Sequence, residues 1–111
     1  MIEDAAHALG SRYKGKTIGS FSDIASFSFY ANKIITTGEG GIVITDDLKL
    51  AERARWFGNF CFDTERRYIH QDIGFKYPMT NIQAAIGVAQ LEHIEEIIKL
   101  KIKYLKQSNK I

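Results

Sequence analysis

Three features of the sequence could take part in chemistry. Asp4 and His7 are three residues apart, so their side chains share a face of a helix and converge in a turn. Ser26 and Ser28 alternate with apolar residues, which puts both hydroxyls on one face of a strand. Lys33 follows in a loop that leads to a glycine-rich turn. Such groups serve proton transfer and covalent catalysis by an amine.

Lys33 is the residue whose surroundings suggest covalent chemistry. A lone lysine in a loop is normally a solvated charge, but this one has apolar neighbours in the sequence. They are Phe29, Tyr30, Ile34 and Ile35. Desolvation favours the neutral amine, which is the form that a Schiff-base lysine needs. The sequence alone therefore leaves two interpretations of Lys33, a solvated loop residue and a nucleophile.

Other common kinds of site are not indicated. Residues 37–41, Thr-Gly-Glu-Gly-Gly, lack the ending of a P-loop and the spacing of a dinucleotide-binding motif, and they predict a tight turn. No histidine or cysteine has a partner at metal-ligand spacing, which predicts no metal site. Cys61 lies in an aromatic run, where a packed, unreactive thiol is favoured over a catalytic one.

The composition fits one soluble domain. The chain has 111 residues, of which 45% are hydrophobic and 25% charged. A net charge of +2 implies no strong attraction to nucleic acid or membranes. No apolar stretch could span a bilayer, the acidic N-terminus is unlike a signal peptide, and a single cysteine suits a reducing compartment. We therefore expect a cytoplasmic protein.

The elements that must position these residues alternate between strand and helix patterns. Residues 3–9 predict a strand end that turns into a short helix, and residues 13–17 predict a small hairpin. Alternation predicts a strand with one buried face over 24–29, and residues 42–44 predict a short buried strand. Two or three strands are too few for a complete sheet. We therefore expect missing elements on at least one side, in a chain cut from a longer one.

Two helices are predicted in the second half. Asp46 or Asp47 can cap the first, over 48–57. Thr80 begins a capping box with Gln83 and opens a long helix that extends to about residue 106. The predicted core stripe of this helix is Ile82, Ala85, Ile86, Ala89, Ile94, Ile97 and Ile98.

In order and over nearly the whole chain, the sequence resembles the DegT/DnrJ/EryC1/StrS family of sugar aminotransferases. The segments that carry the resemblance are EDAAHALG at 3–10, GSFSD at 19–23, SFSF at 26–29, NKIITTGEGG at 32–41 and MTNIQAAIG at 79–87. The resemblance implies an α/β protein with the fold type I, aspartate aminotransferase-like architecture. Residues 1–111 would form the central part of the cofactor-binding large domain, an incomplete sheet plus a long helix, without the N-terminal segment and the C-terminal small domain.

The resemblance also implies pyridoxal 5′-phosphate as the cofactor. Lys33 matches the lysine that holds it as a Schiff base and carries the proton between two carbons. Asp4 matches the aspartate that pairs with the pyridinium nitrogen, and His7 a position near the phenolic oxygen. Ser28 matches a hydroxyl donor to the phosphate. Lys76 stands where relatives carry an asparagine for the phosphate in the partner subunit, so it either substitutes as a cation or loses the contact.

The implied activity is amino transfer, from glutamate, to a nucleotide-linked 4-keto-6-deoxy sugar in polysaccharide or O-antigen biosynthesis, by a homodimer. Relatives with histidine in place of the lysine are dehydratases, so Lys33 indicates amino transfer. Residues 32–41 and 79–81 resemble the GDP-perosamine synthases within the family. One alternative is a truncated, non-catalytic remnant or an oligomerisation module that pairs through the helix after Thr80. A weaker one is a fold type I enzyme that acts on amino acids.

Overall fold

The computed structural model describes residues 1–66 and 68–108. Five strands precede three helices in the chain. They are β1 (Ile2–Asp4), β2 (Arg12–Tyr13), β3 (Lys16–Thr17), β4 (Ile24–Ser28), β5 (Gly41–Ile44), α1 (Leu48–Gly58), α2 (Asn81–Leu91) and α3 (Ile94–Ser108). The pair β2–β3 is the predicted hairpin, and it lies within the connection between β1 and β4.

The strands β1, β4 and β5 form a mixed sheet with β4 in the centre. β1 runs parallel to β4, and β5 runs antiparallel to it. The period-two alternation of β4 is confirmed, because Ala25 and Phe27 are buried while Ser26 and Ser28 are half-buried. Buried hydrophobic side chains concentrate around this strand and the loop after it. They are Ala5, Ala25, Phe27, Phe29 and Ile35, with Cys61 after α1.

The prediction of a buried strand at 42–44 is only half right. These residues form β5, but Ile42, Val43 and Ile44 are 46%, 52% and 39% exposed. β5 lies at the edge of the sheet, so it has a neighbour on one side only. A groove of about 810 Å³ also lies between β5 and the α1 residues Ala51 and Ala54. The apolar run therefore predicts the strand correctly and its burial wrongly.

The short helix predicted after β1 does not form. Instead, the Ala8 N–H donates to the Ala5 oxygen and the Ser11 N–H donates to the Ala8 oxygen, both at 2.9 Å. These bonds close two successive turns that do not continue as a helix. Gly10 adopts a φ of +78° in the second turn, and a side chain there would meet Ile98 of α3 at 2.2 Å. The turns therefore let α3 approach the backbone closely.

Both predicted helix starts are confirmed. The Asp47 carboxylate accepts hydrogen bonds from the Lys49 and Leu50 N–H groups, at 2.8 and 3.3 Å, and caps α1. Thr80 caps α2: its hydroxyl accepts from the Gln83 N–H, and the Gln83 side chain accepts from the Thr80 N–H. Each cap satisfies N–H groups that the first helical turn leaves free.

The long helix predicted after Thr80 is divided in two. The His93 N–H donates to the oxygen of Gln90, three residues back, and this narrower turn separates α2 from α3. The predicted core stripe is also wrong in its first half, because Ile82 and Ile86 are 76% and 47% exposed. The face of α2 that packs inward is a different one.

Candidate active site

Asp4 ends β1 at the carboxyl end of the parallel strand pair. The Ala5 N–H donates to the Ser26 oxygen at 2.9 Å and holds the following residue against β4. The Asp4 carboxylate is exposed and accepts a 3.0 Å bond from the Ala6 N–H. In open α/β sheets, ligands bind outside the carboxyl ends of parallel strands. Asp4 therefore stands where a ligand-binding carboxylate is expected.

Two serines lie on the same face of the sheet as Asp4. Residues in register on neighbouring strands project to the same side, and Asp4 is in register with Ser26. Alternation along β4 puts Ser28 on that side too. The Ser28 hydroxyl oxygen accepts a 3.2 Å bond from the Tyr30 N–H, so its proton can be donated to a ligand.

Lys33 and His7 meet although 26 residues separate them in the sequence. The Lys33 Nζ lies 2.9 Å from the His7 Nε2 and 3.3 Å from the Nδ1. A lysine ammonium only donates, whereas an imidazole nitrogen accepts when it carries no hydrogen, so the two groups can form a hydrogen bond. Lys33 is half-buried and His7 is exposed. The contact therefore joins the turns after β1 to the loop after β4 at the surface of the protein.

Hydrogen bonds at its base close the loop that carries Lys33. The Phe29 N–H donates to the Gly40 oxygen at 2.9 Å, and the Thr37 N–H donates to the Phe29 oxygen at 3.0 Å. Both Phe29 and Thr37 are buried. Within the loop, the Lys33 N–H donates to the Tyr30 oxygen at 3.0 Å. The amine is thus carried by a short loop with fixed ends.

The apolar neighbours of Lys33 anchor its loop more than they enclose its amine. Phe29 and Ile35 are buried, and Ile34 is half-buried. Tyr30, in contrast, is 47% exposed. The hydrophobic residues thus fix the loop to the core while Lys33 itself stays half-buried.

Sequence reasoning misses Glu3, which fixes the chain before β4. The Glu3 carboxylate accepts from the Gly19 N–H at 2.7 Å and from the Phe21 N–H at 3.3 Å. Successive residues of a strand project to opposite faces, so Glu3 and Asp4 serve different sides of the sheet. The sequence does contain a signal for this difference, because two adjacent carboxylates at a strand end must point to opposite faces of the sheet. One of them, Glu3, could therefore have been predicted to be structural and the other, Asp4, to bind a ligand.

Lys76 is not brought into this cluster by any hydrogen bond. It lies opposite Asn59 in an isolated bridge, and the neighbouring Phe75 N–H donates to the Phe57 oxygen at 2.8 Å. Lys76 is exposed, and within residues 1–66 and 68–108 its ammonium has no hydrogen bond or ion pair. The structure therefore joins Lys33 to His7, places Asp4 and Ser28 on one sheet face, and leaves Lys76 on a separate segment.

Two other kinds of site were considered from the sequence, a catalytic cysteine and a metal site. Cys61 is 0% exposed, and burial raises the pKa of its thiol. A catalytic thiol must be reachable and ionised, so the predicted packed cysteine is confirmed. In the part of the chain that the structure describes, no three His, Cys, Asp or Glu side chains come together to hold a metal ion, and no helix is long and apolar enough to span a membrane.

Comparison with known proteins identifies the family. The profile of the DegT/DnrJ/EryC1/StrS aminotransferase family matches residues 1–110. The chain belongs to this family. The GDP-perosamine synthase of Escherichia coli O157:H7 is 52% identical over 101 residues, which are 91% of this chain and 28% of that protein. The GDP-perosamine synthase of Caulobacter vibrioides is 55% identical over 96 residues, which are 86% of this chain and 26% of that protein.

Solved structures of DegT/DnrJ/EryC1/StrS relatives confirm the predicted fold class. PseC of Helicobacter pylori, an aminotransferase involved in the biosynthesis of pseudoaminic acid, is 36% identical, with a TM-score of 0.77 over 85% of this chain and 26% of PseC. The mixed sheet and helices are consistent with a fragment of the fold type I domain. The chain thus spans about a quarter of the length of the curated relatives and solved structures named here.

Proposed function

We propose that this chain is the central part of the large domain of a pyridoxal-phosphate-dependent nucleotide-sugar aminotransferase, in which Lys33 holds the cofactor. The contact between Lys33 and His7, at 2.9 Å, carries the proposal. It gives one lysine of the chain a defined partner next to the sheet edge where Asp4 ends β1. Membership of an aminotransferase family supports the reaction class.

The residues present fit such a cofactor in chemical type. Bound pyridoxal phosphate supplies an aldehyde that an amine can attack and a ring that withdraws electrons from the reacting carbon. In this proposal Asp4 keeps a proton on the ring nitrogen, and His7 approaches the phenolic oxygen. Ser28 donates its hydroxyl proton to the phosphate, for which the bond from Tyr30 leaves it available. Lys33 would hold the cofactor through its amine and would move a proton during amino transfer.

The substrate of the proposed enzyme is a nucleotide-linked 4-keto-6-deoxy sugar, aminated with glutamate as donor in polysaccharide biosynthesis. Identities of 52% and 55% to two GDP-perosamine synthases support this choice. The enzyme works as a homodimer in which Lys76 reaches the phosphate of the cofactor in the partner subunit. The exposure of Lys76, and the lack of a polar partner for its ammonium within residues 1–66 and 68–108, support a contact outside this chain.

Cofactor uptake tests the assignment of Lys33. The chain with its missing segments restored, as in a chimera with a relative, is expected to show a visible absorbance band of covalently held cofactor when mixed with pyridoxal phosphate. Lys33→Ala should remove the band, whereas Lys101→Ala, on the exposed surface of α3, should keep it. Circular dichroism of both variants controls for folding. A band of full intensity in folded Lys33→Ala protein would overturn the assignment.

A chimera tests the substrate. In it, this chain replaces the matching segment of the Caulobacter vibrioides enzyme, to which it is 55% identical. We expect the chimera to aminate GDP-4-keto-6-deoxymannose with glutamate, and Lys33→Ala to abolish the activity. A folded chimera that takes up the cofactor and leaves this sugar unchanged would contradict the substrate and not the cofactor.

An oligomerisation module remains the second candidate, because the outer face of α2 is apolar and exposed. Ile82 and Ile86, four residues apart on this face, are 76% and 47% exposed. Exposed apolar patches mark interaction surfaces. Light scattering separates the two functions: a stable oligomer of this chain without cofactor uptake favours the module, and a monomer counts against it.

A further inference from the structure

One polar face of α2 contacts the part of the loop that follows Lys33. Gln83, Gly87 and Gln90 are separated by four and three residues, so they share one face of the helix. Each of them contacts a residue within 36–39. This face, and not the predicted apolar stripe, holds α2 against the rest of the protein.

Gln90 makes the closest hydrogen bonds of this face. Its side-chain oxygen accepts from the Thr36 N–H at 3.0 Å, and its Nε2 donates to the Thr36 oxygen at 2.6 Å. One side-chain amide thus binds both backbone groups of one residue, as a neighbouring strand would. The Nε2 also donates to the Ile86 oxygen at 3.0 Å, so both of its hydrogens are used. The side chain is therefore fixed to the helix as well as to the loop.

The loop is shaped to receive this amide. The Thr36 hydroxyl donates to the Phe29 oxygen at 3.0 Å and accepts from the Gly38 N–H at 2.9 Å. Next to it, a side chain at Gly87 would lie 3.1 Å from the Thr37 methyl carbon, so the glycine allows the helix to come close. Thr36 is thus bound on one side by the sheet end and on the other by the helix.

We propose that Gln90 is a positioning residue for Lys33. The loop from 30 to 35 begins after Phe29, the residue that follows β4, and ends at Thr36, whose backbone is bound by Gln90 and whose hydroxyl is bound to the Phe29 oxygen. Without the Gln90 amide, the Thr36 N–H has no other hydrogen-bond acceptor in the described part of the chain. The Thr36 hydroxyl and the Thr37 N–H still bond the Phe29 oxygen, but the Thr36 backbone can shift, and we expect the amine to move away from His7. This inference rests on the proposed role of Lys33.

Three variants test the proposal. Gln90→Ala removes all three bonds of the amide. Gln90→Glu keeps an acceptor for the Thr36 N–H and loses the donor to the Thr36 oxygen, so its effects should be intermediate, and it decides the matter if Gln90→Ala does not fold. Gln107→Ala is the control, because Gln107 is an exposed glutamine of α3.

The first readout needs no cofactor. In Gln90→Ala, hydrogen exchange at the Thr36 N–H should be faster by about tenfold or more, while the Thr37 N–H, bound to Phe29, should change little. The NMR signals of the His7 ring should move toward those of Lys33→Ala. Faster exchange at Thr36 with unchanged His7 signals would reduce Gln90 to a structural residue and overturn the proposal.

The second readout is the pH dependence of the visible cofactor band. If Gln90 positions Lys33, the pH at which the band forms should shift in Gln90→Ala, shift less in Gln90→Glu and stay unchanged in Gln107→Ala. An identical pH profile in all of them would contradict the proposal. The absence of any band in the chain with its missing segments restored and Gln90 unchanged would instead contradict the proposed function, and the His7 signals would then decide the role of Gln90 alone.

Discussion

The two candidate cofactor-binding lysines are held in opposite ways. Lys33 is half-buried, its amine contacts His7, and both ends of its loop are fastened. Lys76 is exposed, and its ammonium has no polar partner among residues 1–66 and 68–108. Backbone hydrogen bonds to the end of α1 hold the residues on either side of it, from the Phe75 N–H to the Phe57 oxygen and from the Tyr77 N–H to the Gly58 oxygen.

This difference shows which candidate side chain is held in place by contacts within this chain. In the sequence, the loop around Lys33 is recognisable only by its apolar residues. In the structure, buried side chains and hydrogen bonds from side chains to the backbone fix this loop. Around Lys76, the backbone path is fixed and the side chain is not. This difference agrees with the proposed roles, in which Lys33 acts within its own subunit and Lys76 reaches the cofactor of a partner subunit.

The largest expected effect compares two isoleucines near the two lysines. Ile35 is 1% exposed and Ile73 is 82% exposed. Ile35→Ala should lower the free energy of unfolding by about 2–5 kcal/mol, because it leaves a cavity beneath the Lys33 loop. Ile73→Ala should change it by less than about 0.5 kcal/mol. Urea unfolding measures both, and equal losses would refute the contrast.

A smaller loss of stability is expected from a substitution at Gly74, two residues before Lys76, where the chain passes close to the backbone of Phe60 and Cys61. A side chain at Gly74 would lie 2.4 Å from the Phe60 carbonyl carbon and 2.5 Å from the Cys61 nitrogen. Because backbone cannot move aside cheaply, Gly74→Ala should cost about 1–3 kcal/mol in the free energy of unfolding. Gly38→Ala is the matched change near Lys33, with open space around it and a φ of +82°. It should cost about 1 kcal/mol from backbone strain alone.

The cap of α2 should have a still smaller effect, transmitted to the Lys33 loop. Thr80→Ala removes the hydroxyl that accepts from the Gln83 N–H and should cost about 1 kcal/mol. Because α2 carries Gln90, hydrogen exchange at the Thr36 N–H should also become faster. Thr64→Ala, at an exposed threonine, is the control. Destabilisation without faster exchange at Thr36 would show that α2 does not hold the loop.

Local signals predicted much of the fold. Three features were predicted correctly: the capping box of Thr80, the cap at Asp47 and the alternation of β4. Each depends on residues within one turn or one strand, so a short stretch of sequence is enough to predict it. The order of matching segments was enough to identify the family. The roles of Asp4, His7, Ser28, Lys33 and Lys76 stay predictions.

Contacts between distant residues could not be predicted in the same way. Gln90 and Thr36 are 54 residues apart, and no local pattern distinguishes this glutamine from a solvated one. The apolar patterns of β5 and α2 likewise predicted a strand and a helix correctly, but they predicted that the apolar side chains are buried, and these are exposed. Periodicity reports which side chains are apolar, but not whether another element of this chain covers them.

The smallest expected effect is a pH response confined to the loop before Lys76. The Asp63 carboxylate accepts from the Arg66 N–H at 2.8 Å, from the Glu65 N–H at 2.9 Å and from the Gln71 side chain at 2.6 Å. These hydrogen bonds, led by the one from Arg66, hold the pKa of Asp63 below its ordinary value of 3.8. A lowered carboxyl pKa stabilises the folded state above pH 3.8, and this stabilisation is lost as the pH falls through the folded-state pKa.

Acidification should therefore loosen the segment around Asp63 before it loosens the Lys33 loop. As the pH falls below 3.8, hydrogen exchange at Glu65 should become faster relative to its intrinsic rate, because its N–H loses a charged acceptor. The Thr36 N–H binds a neutral amide and should keep its protection over this range. Asp63→Asn should remove the pH dependence at Glu65. If Glu65 and Thr36 lost protection at the same pH, the segment around Asp63 and the loop that carries Lys33 would open as one unit.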